Sequence, residues 1–339
     1  MTKVDIISGF LGAGKTTFIK KLLSDVWAGE KLVLIENEFG EIGIDGGFLK
    51  DAGIEITEMN SGCICCTLVG DFSKALVKVL DEYHPDRVII EPSGVGKLSD
   101  VARAIEAVEK DADIEIDGRI TVVDGKKAKM YMKNFGEFFK DQVEHASTIV
   151  VRRTQMMTDE KVEECVHTLR EENAEATIIS TPWDELGKEA ISHALTKGAE
   201  IESLFEDHED HDHDHDHCDH DHHDHDHHDH DHDCCCGHDH DHHHHHHADD
   251  VFTSWGKETV HKYTEEELDY LLKALSETTS YGTILRSKGI IQMTDGSWKQ
   301  FDLVPEEYEV REGQPDYTGR ICVIGTDLKE DDLLKLFHV

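Results

Sequence analysis

Three observations predict the fold class. Apolar runs alternate with helical patterns through roughly the first 200 residues, which is the rhythm of a parallel sheet covered on both faces. A glycine-rich stretch joins the first apolar run to the first helical pattern, and a histidine-rich interruption separates all this from a shorter stretch patterned differently. The prediction is an α/β chain: a doubly wound, mostly parallel sheet over 1–205, a disordered linker over 206–250, and a small α+β domain over 251–339.

Residues 4–7 read as a buried strand and 16–26 as an amphipathic helix. Between them Gly9-Phe10-Leu11-Gly12-Ala13-Gly14-Lys15-Thr16-Thr17 fits G-x-x-x-x-G-K-[ST]. In such a loop glycines let successive N–H groups point inward, and the helix N-terminus adds its positive dipole end. Gly9, Gly12, Ala13, Gly14, Lys15, Thr16 and Thr17 are thus predicted to cradle a nucleotide's phosphates. Lys15 reaches the β/γ-phosphates, and the Thr16 hydroxyl takes a place on Mg²⁺. A second strand, 31–35, runs into a polar, glycine-bearing segment that carries Glu36 and Glu41, where a nucleotide-sensing switch sits in an open α/β sheet. Strand 54–56 precedes Asn60-Ser61-Gly62-Cys63-Ile64-Cys65-Cys66, and a helix follows over 68–83. Strand 87–91 ends in Glu91-Pro92-Ser93-Gly94, the shape of a Walker-B element whose acid helps hold Mg²⁺ or its waters. Strands at 119–123, 148–151 and 176–180 alternate with helices at 137–145 and 160–172. The last part reads as an edge strand at 251–256, a helix at 264–276, strands at 284–292, 298–303 and 320–325, and a helix at 329–337.

Composition narrows the function classes. The chain carries 34 Lys plus Arg against 73 Asp plus Glu, a net charge of −39 over 339 residues. That balance repels nucleic acid and anionic membrane surfaces and suits cations. The start of the chain shows no basic-then-apolar leader, and no apolar run reaches the roughly 20 residues of a membrane span. A cytoplasmic protein is expected, whose nine cysteines are thiols or metal ligands rather than disulfides.

Two regions point to metal. Cys63, Cys65 and Cys66 place three thiols within four residues on a loop between a strand and a helix. Thiolates favour Zn²⁺ and Cu(I), and with imidazole also take Co²⁺ or Ni²⁺. Two of the three plus an outside donor make the easier tetrahedral geometry, and Glu36 and Glu41 are candidate donors. The segment 208–247 holds 21 of the 27 histidines, 14 acids, four cysteines and no Lys or Arg. Imidazoles at spacing two offer many overlapping, exchangeable sites rather than one cage. Cys165 and Cys322 read as ordinary, Cys322 as core.

Gly-Phe-Leu-Gly-Ala-Gly-Lys-Thr-Thr, Glu-Asn-Glu-Phe-Gly-Glu, Gly-Cys-Ile-Cys-Cys, Glu91-Pro-Ser-Gly and Ile284-Leu-Arg-Ser-Lys-Gly-Ile occur in this order. Together they resemble the CobW-like family of metal-handling GTPases, over both ends of the chain and omitting only the histidine tract. The resemblance implies a P-loop GTPase domain, a CobW C-terminal domain, and GTP-dependent transfer of a metal ion to a client metalloprotein or cofactor pathway. By position, Cys63, Cys65 and Cys66 match the family's metal motif and Glu91 its Walker-B glutamate. One departure stands out. The family usually follows the strand at 148–151 with Asn-Lys-x-Asp, whose aspartate accepts two hydrogen bonds from guanine; here the residues are Arg152-Arg153-Thr154-Gln155. An amide offers one carbonyl oxygen and an NH₂, so Gln155 lacks the charged acceptor pair, and the arginines could stack on the purine instead. Glu91 and Lys15 are the expected catalytic pair. Other expectations are a metal buffer that merely senses nucleotide, an ATP-using assembly factor, and a homo-oligomer.

Overall fold

The computed structural model describes residues 1–37, 55–59, 69–110, 112–195, 248–316 and 318–339. Glu41, Cys63, Cys65, Cys66 and the segment expected as a disordered linker (from 206 to 247) lie outside the described residues.

The first part is built from β1 (Thr2–Ser8), α1 (Lys15–Lys21), β2 (Leu32–Asn37), β3 (Glu55–Met59), α2 (Val69–Tyr83), β4 (Arg87–Glu91), α3 (Leu98–Glu109), β5 (Ile114–Asp124), α4 (Ala128–Asn134), α5 (Gly136–Glu144), β6 (Thr148–Arg152), α6 (Asp159–Glu172), β7 (Thr177–Ile179) and α7 (188–195). Its seven strands stand in the order β3-β2-β4-β1-β5-β6-β7, and every pairing is parallel. Alternate residues of one strand feed two cores, because successive side chains leave opposite faces. Val4, Ile6, Val88 and Ile90 pack with α2, α3 and α5, while Ile7, Ile89, Ile120 and Val150 pack with α1, Trp27 and Trp183. This is the doubly wound parallel sheet that the alternation predicts.

The sequence reading differs at several elements. It takes 16–26 as one helix, but after Lys21 the chain widens into a π turn, Leu22–Val26, closed by Trp27 N–H donating to the Leu22 carbonyl at 2.8 Å. It passes over α3, whose Leu98, Val101, Ala102, Ile105 and Val108 lie buried at helical spacing.

The last part holds α8 (Ala248–Val251), β8 (Thr253–Thr259), β9 (Lys262–Tyr263), α9 (Glu265–Glu277), β10 (Thr283–Met293), β11 (Trp298–Val304), β12 (Glu307–Glu312), β13 (Gly319–Thr326) and α10 (Glu330–Phe337). Its sheet runs β12-β11-β10-β13-β8, antiparallel throughout, with β8 at one edge and short β9 parallel to β10. One face packs Trp255, Ile291, Phe301, Ile321 and Val323 on α9 and α10. From the other, Leu285, Cys322 and Ile324 join the first part's core with Tyr131, Phe138 and Phe252. So both predicted architectures are present, and apolar packing joins them. Cys165 and Cys322 are buried, and burial pushes the Cys165 thiol up to about 11, which leaves it inert. No helix among the described residues is long and apolar enough to cross a membrane.

Candidate functional site

The glycine-rich turn sits at the C-terminal end of β1, where an open α/β sheet offers its crevice. Gly9 and Gly12 lie at φ +142° and +71°, conformations that side chains rarely adopt. A Cβ on Gly9 would strike the Val122 carbonyl oxygen in the neighbouring strand. Gly14, at φ +98°, caps α1 without a side-chain hydrogen bond. The two apolar positions of the turn anchor it. Phe10 and Leu11 are buried, and the Phe10 ring lies 4.5 Å from Tyr131, 5.6 Å from Phe135 and 6.3 Å from Phe252. Each such pair contributes about 0.5–1.5 kcal/mol beyond area burial. The backbone loop is thereby held open and rigid by side chains that point away from it.

Lys15, Thr16 and Glu91 converge. Lys15 Nζ donates to the Gly9 carbonyl at 3.0 Å and stands 4.0 Å from Glu91 Oε1. Thr16 Oγ1 is 3.3 Å and 3.5 Å from the two Glu91 oxygens. Glu91 is fixed by its strand, and the loop after it is pinned by Gln142 Nε2, which donates to the carbonyls of Gly94 and Gly96 at 3.2 and 2.8 Å. Glu36 pairs in register with Glu91 on the adjacent strand and is buried. Parallel strands lie about 4.8 Å apart, so the two acids stand side by side at the C-terminal rim of neighbouring strands. A hydroxyl and a carboxylate at this spacing suit a hard, oxygen-preferring cation such as Mg²⁺, and the collision-free backbone curve suits phosphate.

Beyond β6 both arginines line the cleft and already have partners. The Arg152 guanidinium lies 5.6 Å from the Trp183 ring centroid and borders Gly14, where a Cβ would run into it. Arg153, at φ +66°, sets Nη1 3.2 Å from Asp124 Oδ2 and also pairs with Glu307. Gln155 is exposed on the turn Thr154–Met156, so its position permits contact with a ligand.

The hairpin β11–β12 forms a wall that the sequence does not reveal. Its tip, Pro305-Glu306, carries Glu306 at φ +67°. Lys127 Nζ donates to the Pro305 carbonyl at 2.8 Å, and Val304 comes so close that a Cβ on Gly12 would collide with it. Arg286 holds Asp302 at 3.0 Å on the same wall and keeps that carboxyl below its ordinary range, although burial opposes this most strongly. Between wall and loop remains a cleft of about 220 Å³, smaller than the roughly 300–1,000 Å³ of ligand pockets. Asp124, which ends an apolar strand, and Arg286, inside a quoted motif, carried local signals; the pairing of Asp124 with the cleft residue Arg153 and the place of Arg286 in the cleft are tertiary.

A parallel sheet with a phosphate-shaped loop, its lysine and threonine meeting a strand-end glutamate, defines the class: a P-loop nucleotide-binding protein. The family model described as CobW/HypB/UreG, nucleotide-binding domain, matches residues 3–180, and the chain belongs to that family. The cobalamin synthesis protein cobW C-terminal domain matches 252–339. The chain is 36% identical to a zinc chaperone CobW of Sinorhizobium sp. over 45% of this chain and 51% of that protein. It is 34% identical to the zinc chaperone YeiR of Escherichia coli over 47% and 49%. It thus spans about half the length of these curated relatives. Similarity to a zinc-regulated GTPase metalloprotein activator 1 of Schizosaccharomyces pombe is longer, at 26% identity over 91% of this chain and 76% of that one. Among solved structures, the Zn(II)-bound YjiA GTPase from E. coli aligns over 99% of this chain and 98% of that one, with 20% identity and a TM-score of 0.44.

Proposed function

We propose that this chain is a cytoplasmic, GTP-hydrolysing metallochaperone. It binds a transition metal ion, Zn²⁺ in the first instance with Co²⁺ or Ni²⁺ as the alternatives, and passes it to a client metalloprotein or cofactor-biosynthesis enzyme. The observation that carries this reading is the convergence of Lys15, Thr16 and Glu91 beside Glu36. In this reading the turn from Gly9 through Gly12, Ala13 and Gly14 to Thr17 receives the phosphates. Lys15 stabilises charge on the transferring phosphoryl group, Thr16 holds Mg²⁺, and Glu91 orients the metal's waters or the attacking water. Mg²⁺ would supply neutralisation of the phosphate charge.

The cargo ion is assigned to Cys63, Cys65 and Cys66, with Glu36 or Glu41 as outside donor. Topology supports the pairing of the two sites. Strand β3 ends at Met59 on the same C-terminal rim of the sheet as the P-loop, so the cysteine motif follows a strand that ends on the nucleotide side. Hydrolysis would then reorder the segments after β2 and β3 together and release the ion. The zinc assignment is supported by the names of the relatives. The division at 205 and 250, a linker buffer of weak histidine sites, a chain that binds neither nucleic acid nor membrane, and self-association belong to the same proposal. Gln155 favours a second reading, in which base choice is relaxed and ATP is also used.

Lys15→Ala tests the enzyme reading. Turnover of Mg²⁺-GTP should fall about 10²-fold or more, the usual cost of deleting a group that stabilises transition-state charge. Unchanged turnover would remove hydrolysis from the proposal and leave a metal buffer.

A further inference from the structure

We propose that the C-terminal domain holds a second metal site, made of His261, Glu267 and His338, that takes a zinc-like divalent ion. It shares no residue with the P-loop cleft. Three separate elements supply it: the link between β8 and β9, the first turn of α9, and the end of α10. Their ligand atoms lie within 4.8 Å of one another, the only group of three or more such side chains found among the described residues.

The surroundings hold these side chains in place. His261 N–H donates to Thr259 Oγ1 at 3.0 Å, and its ring packs edge-on to Tyr263 at 4.7 Å. Tyr263 hydroxyl donates to the Phe337 carbonyl at 2.7 Å, which ties the end of α10 to β9. His338 follows in a left-handed conformation, φ +56°, and its ring lies 4.8 Å from that of His261. Glu267 uses one oxygen for its helix cap, accepting the Thr264 N–H at Oε2, and turns Oε1 to 3.9 Å from His261 Nε2. That nitrogen is buried and has no hydrogen-bond partner. A buried imidazole nitrogen without a partner is costly, and an ion between it and the carboxylate removes the cost.

Two imidazoles and a carboxylate are the ligand set of open, three-residue zinc sites, which keep a fourth position for water or another donor. Donors about 2.1 Å from a shared tetrahedral ion stand about 3.4 Å apart, so the three must close by roughly an ångström. His338 is exposed and can rotate to do so. An open fourth position at a solvent-facing edge suits an exchangeable ion better than a locked structural one.

The test must distinguish this site from the 21 histidines of the tract. Full-length protein is treated with diethyl pyrocarbonate at a series of buffered free-zinc concentrations, and each histidine-bearing peptide is read by mass spectrometry. His261 and His338 should be protected together, slowing about tenfold when free zinc reaches ten times the half-protecting concentration. In Glu267→Gln the capping box survives, because glutamine serves at that helix position too, but the anionic ligand is gone. The half-protecting zinc concentration for both histidines should then rise about tenfold or more. Modification of His261 and His338 that ignores zinc while the tract becomes protected would overturn the proposal. So would protection unchanged in Glu267→Gln.

Discussion

Glu307 sits where the hairpin meets the nucleotide cleft, and Glu307→Gln is the most informative single change there. In the structure Arg153 is shared between Asp124, at 3.2 Å, and Glu307. The variant keeps the shape of the hairpin and leaves Arg153 on Asp124, removing only the charge that ties wall to cleft. The Glu307 side chain is 49% exposed and Arg153 13%, so the pair belongs with solvent-screened ones, worth about 0.2–1 kcal/mol. Arg153 and Glu307 both line the cleft of about 220 Å³ between hairpin and P-loop, so a pair that draws its two sides together opposes nucleotide entry. Removing it should tighten Mg²⁺-nucleotide affinity by a factor of roughly 1.5 to 5. Titration with a fluorescent GTP analogue, wild type and variant side by side at one ionic strength, reads this directly. Affinity that is unchanged or weaker in the variant would mean that the Arg153–Glu307 contact does not hold the cleft closed.

Gln155→Asp should raise the preference for GTP over ATP on the order of tenfold, since a restored acceptor pair is worth about 1–3 kcal/mol; a wild type that already prefers GTP by thousands would refute the reasoning. Asp5 gives a pH signature. Burial, set against its Arg87 partner, pushes the Asp5 carboxyl from 3.8 up to about 7, so the folded state binds a proton that the unfolded state has released. The Asp5 contribution to stability should therefore decline as pH rises from about 4 to about 7, and Asp5→Asn should remove that component from the pH dependence of thermal unfolding across the same range. A variant with the wild-type slope would place the titration elsewhere.

Local chemistry was legible and tertiary convergence was not. The turn from Gly9 to Thr17 announces itself because its backbone angles demand glycine at fixed offsets. Glu91 could be read as a strand-end acid because it closes an apolar run, while the in-register pairing of Glu36 with it comes from the fold. Cys322 could be read as a packing residue from its apolar strand, whereas Cys165, on a mostly charged helix, is placed in the core only by the fold. By contrast, β12 reads Glu307-Tyr308-Glu309-Val310-Arg311-Glu312, too polar to stand out as a strand. It forms by pairing with β11, and only the fold brings Val304 onto Gly12. The same holds for His261, Glu267 and His338. They are unremarkable singly, and a tyrosine hydroxyl bonded to a helix-end carbonyl gathers them.

The central claim is that one tight metal ion, held at the cysteine loop, answers to the nucleotide. Zinc titration of the wild-type chain and of Cys65→Ser/Cys66→Ser, each with and without a non-hydrolysable GTP analogue, addresses it most directly. Wild type should show one high-affinity site whose strength changes with nucleotide, above a background of weak sites. The double variant should keep the weak capacity and lose the responsive site, while deletion of 207–248 should do the reverse. A responsive site that survives in the double variant, or that disappears with the histidine tract, would contradict the account.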